Sequence, residues 1–191
     1  MREDVGVASD RDTVIDAAFR AHAAGVYRLA FSIVRDRAAA EDVVQDTFTR
    51  AWDRFAAYDP ERPIGAWLHG ITAHLAIDHA RRSGMRRRLA VGWLRPVAEP
   101  WEPDASAALA ERDAAARLLD ELPPRTRAML VLRHAYGYDD RSVGELVGTS
   151  PGNVRTQLSR AHARLRALLE AEARARADDA PEHGRTLHAD R

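Results

Sequence analysis

Wherever apolar residues recur along this chain they recur at spacings of three and four. Val26, Leu29, Ala30 and Ile33 form one stripe; Val44, Phe48, Trp52 and Phe55 form a second; Ile64, Trp67, Leu68, Ile71 and Leu75 form a third. At about 100° per residue each set falls on one face of a helix, so the three predict a small helical domain over residues 13–88. Helical patterning returns over residues 106–172. Strand-like alternation never persists, and no repeat is evident. The predicted fold class is all-α, with two small helical domains. Between them, over 89–105, Pro96, Pro100 and Pro103 lack amide donors and disfavour helix in the residue before each. An extended linker carrying Trp93 and Trp101 is expected there. Residues 1–12 read as a flexible leader, and 173–191 have too little apolar surface to fold, which predicts a disordered tail.

The second domain carries the sharpest local signal. Val143, Leu146 and Val147 give a short apolar helix; Gly148 suits a left-handed turn, Ser150 a cap and Pro151 a first helical position. Val154, Leu158, Ala161 and Leu165 then recur on one narrow arc of a second helix. That is the punctuation of a helix-turn-helix over residues 142–165. The opposite arc presents Gly152, Thr156 and Ser159, beside Asn153, flanked by Arg155 and Arg160, with Arg164 further along. Small residues let a helix enter a major groove, and arginines reach phosphates or the guanine edge. A helical hairpin with a solvated arginine face is the plainer alternative, and the cap, proline and glycine speak against it. Repressors, activators and promoter-recognition subunits all use this element.

Composition then removes several classes. The 191 residues contain no cysteine, so neither a disulfide framework nor a thiolate metal site can form. No apolar run approaches the roughly 20 residues that span a bilayer, and the start Met-Arg-Glu-Asp-Val-Gly has no signal-peptide core. A cytoplasmic protein without membrane insertion is expected. His69, His74 and His79 lie five apart and spiral around a helix, which argues against a metal site. No nucleophile-base pairing or phosphate-cradling glycine loop can be picked out, so neither an enzyme nor a cofactor is predicted.

A formal net charge of zero looks wrong for a nucleic-acid binder, yet the charge is segregated. Asp42, Gln45, Asp46 and Thr49 share the face of the second helix opposite its apolar stripe. The helix macrodipole by itself accounts for acids at a helix start such as Glu41 and Asp42. Asp46 comes a turn later, and the strip reads either as a docking face for a basic partner or as an ordinary solvated face. Past the third helical stripe, five arginines fall within residues 81–88 with no acid between them, a phosphate-binding pattern. Trp67 and His74 upstream could hold unstacked bases beside it; Trp67, lying on the apolar stripe, also reads as core.

Taken in order, Ala-Glu-Asp-Val-Val-Gln-Asp-Thr-Phe-Thr-Arg-Ala-Trp (40–52), Asp-Pro-Glu-Arg-Pro-Ile-Gly-Ala-Trp-Leu (59–68) and Ala-Ile-Asp-His-Ala-Arg-Arg (76–82) resemble region 2 of extracytoplasmic-function sigma factors. Leu-Asp-Glu-Leu-Pro-Pro-Arg-Thr-Arg-Ala-Met-Leu-Val-Leu-Arg (119–133), followed by the helix-turn-helix, resembles region 4. The resemblance implies a non-catalytic, dissociable subunit of bacterial RNA polymerase that directs it to promoters. It implies that Asp42, Gln45, Asp46 and Thr49 dock on the clamp helices of the largest subunit. The loop from Asp59 through Arg62 to Pro63, together with His74 and Asp78, would hold the minus-10 element as its strands separate, with Arg81 and Arg82 on phosphates. Gly152, Asn153, Arg155, Thr156, Ser159 and Arg160 would meet the minus-35 element, and helix 124–135 would help hold the polymerase flap. In the family the linker threads into the polymerase channel, and anti-sigma factors clamp the two domains.

Two departures stand out. Many family members carry Tyr-Arg and then an Asn one turn on, where this chain has His69, Gly70 and His74; a different minus-10 preference, or capture by the loop alone, is expected. Asp139, Asp140 and Arg141 precede Ser142 where an apolar residue is common, so the first helix of the motif is expected to start differently. A stand-alone helix-turn-helix regulator, binding duplex DNA without polymerase, is the alternative reading.

Overall fold

A computed structural model describes residues 3–89 and 117–178. Its elements are α1 (Glu3–Val34), α2 (Arg37–Asp53), a 3₁₀ turn (Phe55–Ala57), α3 (Ile64–Leu89), α4 (Pro124–His134), α5 (Asp140–Val147) and α6 (Pro151–Asp178), with no strand among the described residues. α1 starts at Glu3, within the stretch expected as a leader, and α6 runs to Asp178, past the expected end at Glu172. The alternating Ala and Arg there are strong helix formers and need no packing partner to favour a helix locally. Trp93 and Trp101 lie outside the described residues.

Between α1 and α2 the chain reverses through Arg35, which takes a positive φ of 58°. Asp36 then caps α2 by accepting from the Ala39 amide at 2.8 Å. The buried face of α2 is Ala39, Ala40, Val43, Thr47, Phe48 and Ala51, not the Val44–Phe48–Trp52–Phe55 stripe. Small residues let the helix approach α1 and α3 closely, and the bulky ones straddle its rim. Trp52 remains 42% exposed, donating its indole N–H to Asp12 at 2.7 Å beneath the Arg11 guanidinium. Thr47 and Thr72 are wholly buried, and each satisfies its hydroxyl on its own helix, at Val43 O and Leu68 O, both 2.7 Å.

Much of α3 is buried: Leu68, His69, Thr72, Ala73, Leu75, Ala76 and Ile77 are all at most 9% exposed, leaving one exposed side at His74 and Asp78. Ile64, Trp67 and Ile71 from the expected stripe are only half-buried. The reason is tertiary, because α1 and α2 cover one side of α3 while α4 and α5 cover another. One apolar cluster, Ile15, Ala18, Val26, Phe48, Ala51 and Leu68, belongs to α1–α3 alone. A larger one runs from Leu29, Ile33, Ala73 and Ile77 into Met129, Leu132, Val143, Val154 and Leu158, so the two halves share a core.

Polar contacts punctuate that seam. Arg127 Nη1 donates to Ile33 O at 2.6 Å, Tyr136 Oη donates to Gly25 O at 2.7 Å, and Arg35 pairs with Asp120 at 3.0 Å. His69 Nδ1 lies 2.9 Å from Tyr138 Oη, with its ring edge-on to Tyr136. Burial, with His22 nearby as a second cause, pushes the His69 pKa down to about 4. Below about pH 6.5 the unfolded chain binds a proton that folded His69 refuses until about pH 4, so the folded state loses stability as pH falls through that window. Urea midpoints between pH 7.5 and 4.5 should therefore fall more steeply for the natural chain than for His69→Gln. Parallel curves would refute the assignment.

Candidate nucleic-acid interface

Local sequence builds the helix-turn-helix almost completely. The Asp139 carboxylate accepts from the Ser142 amide at 2.7 Å, capping α5 and holding its own pKa below the usual range through that backbone hydrogen bond. The helix consequently begins at Asp140, two residues before the expected start. Gly148 ends it in the left-handed conformation, φ 69° and ψ 53°, and the Thr149 amide closes back onto Gly144 O at 2.8 Å. A Cβ on Gly144 would lie 2.7 Å from Thr149 O, so the turn folds directly over a position that must be glycine. Arg125 Nη2 donates to Val147 O at 2.9 Å, satisfying a terminal carbonyl of α5. Ser150 Oγ accepts from the Asn153 amide at 3.2 Å, and Pro151 opens α6.

On α6, Val154, Leu158 and Ala161 are buried and Leu165 is half-buried. Gly152, Arg155, Thr156, Ser159 and Arg160 are all exposed on the opposite arc. No atom comes within 4 Å of where a Cβ on Gly152 would stand, so that glycine serves no packing need and simply keeps the face flat. Thr156 Oγ1 donates to Gly152 O at 3.0 Å. Asn153 differs from its neighbours: it is half-buried and donates to Thr149 Oγ1 at 2.8 Å, bracing the turn. Arg155 Nε lies 3.4 Å from Asp140 Oδ2, and Arg133 Nε approaches the other oxygen, Asp140 Oδ1, at 3.7 Å. Arg164 is engaged by Glu121 at 2.9 Å. A shallow groove runs along this arc between Asp140, Arg155, Ser159, His162 and Arg166. His162 is a position that the sequence reading missed. Its Nε2 lies 3.1 Å from His134 Nε2 at the end of α4, and its place one turn beyond Ser159 is the signal that could have found it.

In the other half, Asp42, Gln45, Asp46 and Thr49 are all exposed along α2. Their side chains make no hydrogen bond or ion pair among the described residues, whereas neighbouring Glu41 is occupied by Arg37 at 3.1 Å. Beside this strip lies an open apolar groove of Ile15, Phe19, Phe48 and Trp52, with Phe19 and Phe48 in edge contact at 4.9 Å. It joins two helices, so no single stripe revealed it.

The loop before α3 is ordered by its own polar groups. Asp59 Oδ1 accepts from the Glu61 amide at 3.0 Å, Arg62 N donates to Asp59 O at 3.0 Å, and Tyr58 Oη donates to Arg62 O at 3.0 Å. Arg62 Nε is 3.7 Å from Asp59 Oδ2. Trp67 is half-buried against the Tyr58 ring at 5.0 Å and supports this loop from below. His74, Asp78, Arg81 and Arg82 stand exposed along one side of α3. His74 Nδ1 bonds Gly70 O at 2.8 Å, and Arg82 Nε donates to Asp78 O at 3.3 Å. Since α3 continues to Leu89, the arginine-rich stretch 81–88 belongs to one helix. Among the described residues no set of three His, Cys, Asp or Glu side chains could hold a metal ion, and no helix is long and apolar enough to cross a membrane.

Known proteins share this arrangement. Residues 18–86 match the family model for sigma-70 region 2, and residues 112–165 match that for sigma-70 region 4. The chain is 36% identical over 149 residues to the probable RNA polymerase sigma factor RfaY of Xanthomonas campestris, a match covering 74% of this chain and 36% of RfaY. It is 36% identical over 160 residues to the ECF RNA polymerase sigma factor SigE of Mycolicibacterium smegmatis, covering 81% of this chain and 61% of SigE. Both of those relatives are therefore spanned over less than two thirds of their length. SigL of Mycobacterium tuberculosis, also an ECF RNA polymerase sigma factor, is 30% identical over 166 residues, which is 86% of this chain and 94% of SigL. The sigma factor RpoE of Bartonella quintana, solved with the anti-sigma factor NepR, shares the fold with a TM-score of 0.67 at 24% identity, over 81% of this chain and 96% of its own. With both region models matched in order and a relative matched over nearly its whole length, the chain belongs to the ECF RNA polymerase sigma factors.

Proposed function

We propose that this chain binds bacterial core RNA polymerase and directs it to promoters by reading two DNA elements. The observation that carries this is the coexistence on one chain of an acidic strip on α2 with no partner among the described residues and two exposed arginine-bearing surfaces, on α3 and α6. Asp42, Gln45, Asp46 and Thr49 would meet basic side chains on the clamp helices of the largest subunit. The exposed Phe19 and Trp52 beside them supply apolar area at the same edge. Helix α4 would contribute to holding the polymerase flap.

On DNA, the ordered loop of Asp59 and Arg62 and the exposed side of α3 at His74 and Asp78 would receive the minus-10 strand as it unpairs, while Arg81 and Arg82 neutralise phosphates. At the minus-35 element the flat centre of the α6 arc, Gly152, Thr156 and Ser159, would admit the helix deep into the groove, with Arg155 and Arg160 reaching from its flanks. Asn153 would act at one remove, by bracing the turn that aims α6. The role is that of an initiation factor; the chemistry of RNA synthesis stays with polymerase. An anti-sigma factor is a fitting regulatory partner, given that the Bartonella relative was solved with one.

Asp140 bears directly on the test. Its carboxylate holds Arg155 from the side, which orients the guanidinium before DNA arrives. Arg155→Ala should therefore cost about 1–3 kcal/mol of discrimination at one minus-35 base pair. The measurement is initiation by the reconstituted holoenzyme on promoters substituted singly across the minus-35 element. An unchanged preference at every position would sink the assignment of α6. Failure of the natural chain to co-elute with core polymerase would sink the function as a whole.

A further inference from the structure

We propose that His134 and His162 form a binding site for a divalent transition-metal ion, of the zinc, nickel or copper class, that ties α4 to α6. The two residues are 28 positions apart, yet their Nε2 atoms lie 3.1 Å from each other, with the rings edge to face at 71°. An ion bound to both nitrogens at about 2.0–2.1 Å, with a tetrahedral angle between the bonds, needs them about 3.3–3.4 Å apart. The observed separation is within about 0.3 Å of that, so neither ring has far to move. Both rings are also carried by packed helices and not by loops. Leu132 on α4 and Leu158 on α6 are buried in one apolar cluster that holds the two helices together, which fixes the spacing before any ion arrives.

In the neutral pair one Nε2 carries a hydrogen and donates it to the other. Binding an ion moves that hydrogen to Nδ1 of the same ring through solvent, so both Nε2 lone pairs face the metal and no net proton is released. Imidazole selects borderline ions, whereas magnesium and calcium take oxygen ligands. The chain has no cysteine, so no thiolate competes for such an ion. Repulsion opposes binding: Arg133 precedes His134, and Arg155 and Arg166 line the same groove as His162. Asp140 lines that groove too, and it draws Arg155 at 3.4 Å and Arg133 at 3.7 Å, which offsets two of these charges in part. No third His, Cys, Asp or Glu completes the set among the described residues. Water or an anion therefore fills the remaining positions, on the exposed groove shared with Ser159. The site lies wholly within α4 and α6 and does not depend on the chain's reading of promoters.

Calorimetric titration of the full chain with zinc ion should show a site that His134→Gln and His162→Gln each weaken by about tenfold or more. Losing a ligand costs no less than the roughly 10–100-fold that losing an outer-shell partner does. His79→Gln, on α3, should bind zinc as the natural chain does. His134 and His162 are both exposed, so the two variants should fold normally and keep the natural urea midpoint without metal. Saturating zinc should then raise the midpoint of the natural chain and of His79→Gln, because an ion bound only by the folded state stabilises it, and should leave His134→Gln and His162→Gln unmoved. Magnesium at the same concentration should raise none of them. Equal zinc affinity in the natural chain and either variant, a loss with His79→Gln as large as with His162→Gln, or an unmoved midpoint of the natural chain at saturating zinc would each overturn the site. None of these outcomes touches the sigma-factor reading, which core-polymerase binding tests separately.

Discussion

Arg127→Met is expected to destabilise the protein by about 3–5 kcal/mol, a large share of the roughly 5–15 kcal/mol available to a typical fold. Arg127 is 7% exposed, and its guanidinium serves four backbone carbonyls: Ile33 at 2.6 Å, Leu119 at 2.8 Å, Leu122 at 3.1 Å and Asp120 at 3.4 Å. Asp120 Oδ1, 3.8 Å away, balances its charge in part. One side chain therefore stitches the C-terminal end of α1 to the turn that enters α4. Methionine fills similar volume but donates nothing, so several of these acceptors are left without their partner. Arg127→Lys should recover only part of the loss, because an ammonium cannot fork toward carbonyls in different directions. Urea denaturation of the natural chain and both variants decides the matter. A loss below about 1 kcal/mol for Arg127→Met would mean that the carbonyls find other donors.

Asp46→Arg is expected to weaken association with core polymerase by about 100-fold or more, with the fold intact. Charge reversal turns attraction into like-charge contact, which costs several kcal/mol at an interface where basic groups face the strip. The residue is exposed and takes no part in any hydrogen bond or ion pair among the described residues, so its replacement removes nothing from the folded chain. The loss should appear in equilibrium binding to core with an unchanged urea midpoint. It should also shrink as salt is raised, because screening weakens the repulsion together with the attraction. Glu170→Arg, a reversal of equal size on the exposed end of α6, should bind core as the natural chain does. Equal affinity for Asp46→Arg and the natural chain would remove α2 from the proposed interface.

The two variants probe parts of the molecule that were unequally legible. Asp46 was legible only as an exposed acid opposite the apolar residues, which a helical wheel needs no tertiary knowledge to give; α2 starts at Arg37 with no acid in its first turn, so the macrodipole accounts for none of Glu41, Asp42 and Asp46. Arg127 lies in a stretch where arginines suggest solvent, and only the meeting of α1 with the turn before α4 buries it. The second apolar stripe shows a related failure. Size ranked Trp52 and Phe55 as core, but close helix packing selects small residues, so Ala40, Val43, Thr47 and Ala51 took the interior. On α3 the periodic signal was blurred because a helix packed from two sides has little polar face left.

What the chain determined by itself is local: helix type, the cap at Asp139, the left-handed Gly148, the Ser150–Pro151 restart and the division of α6 into buried and exposed arcs. Each of these depends on groups within a few residues of one another, so spacing and side-chain chemistry suffice. The tertiary structure decided which of two plausible faces is buried, where the charge of Arg127 is spent, and that α4 and α5 pack onto α3. Those outcomes turn on contacts between residues such as His69 and Tyr138, far apart along the chain. No periodicity encodes such a pairing, because it depends on shape and on the exclusion of water from a surface that two separate segments build together.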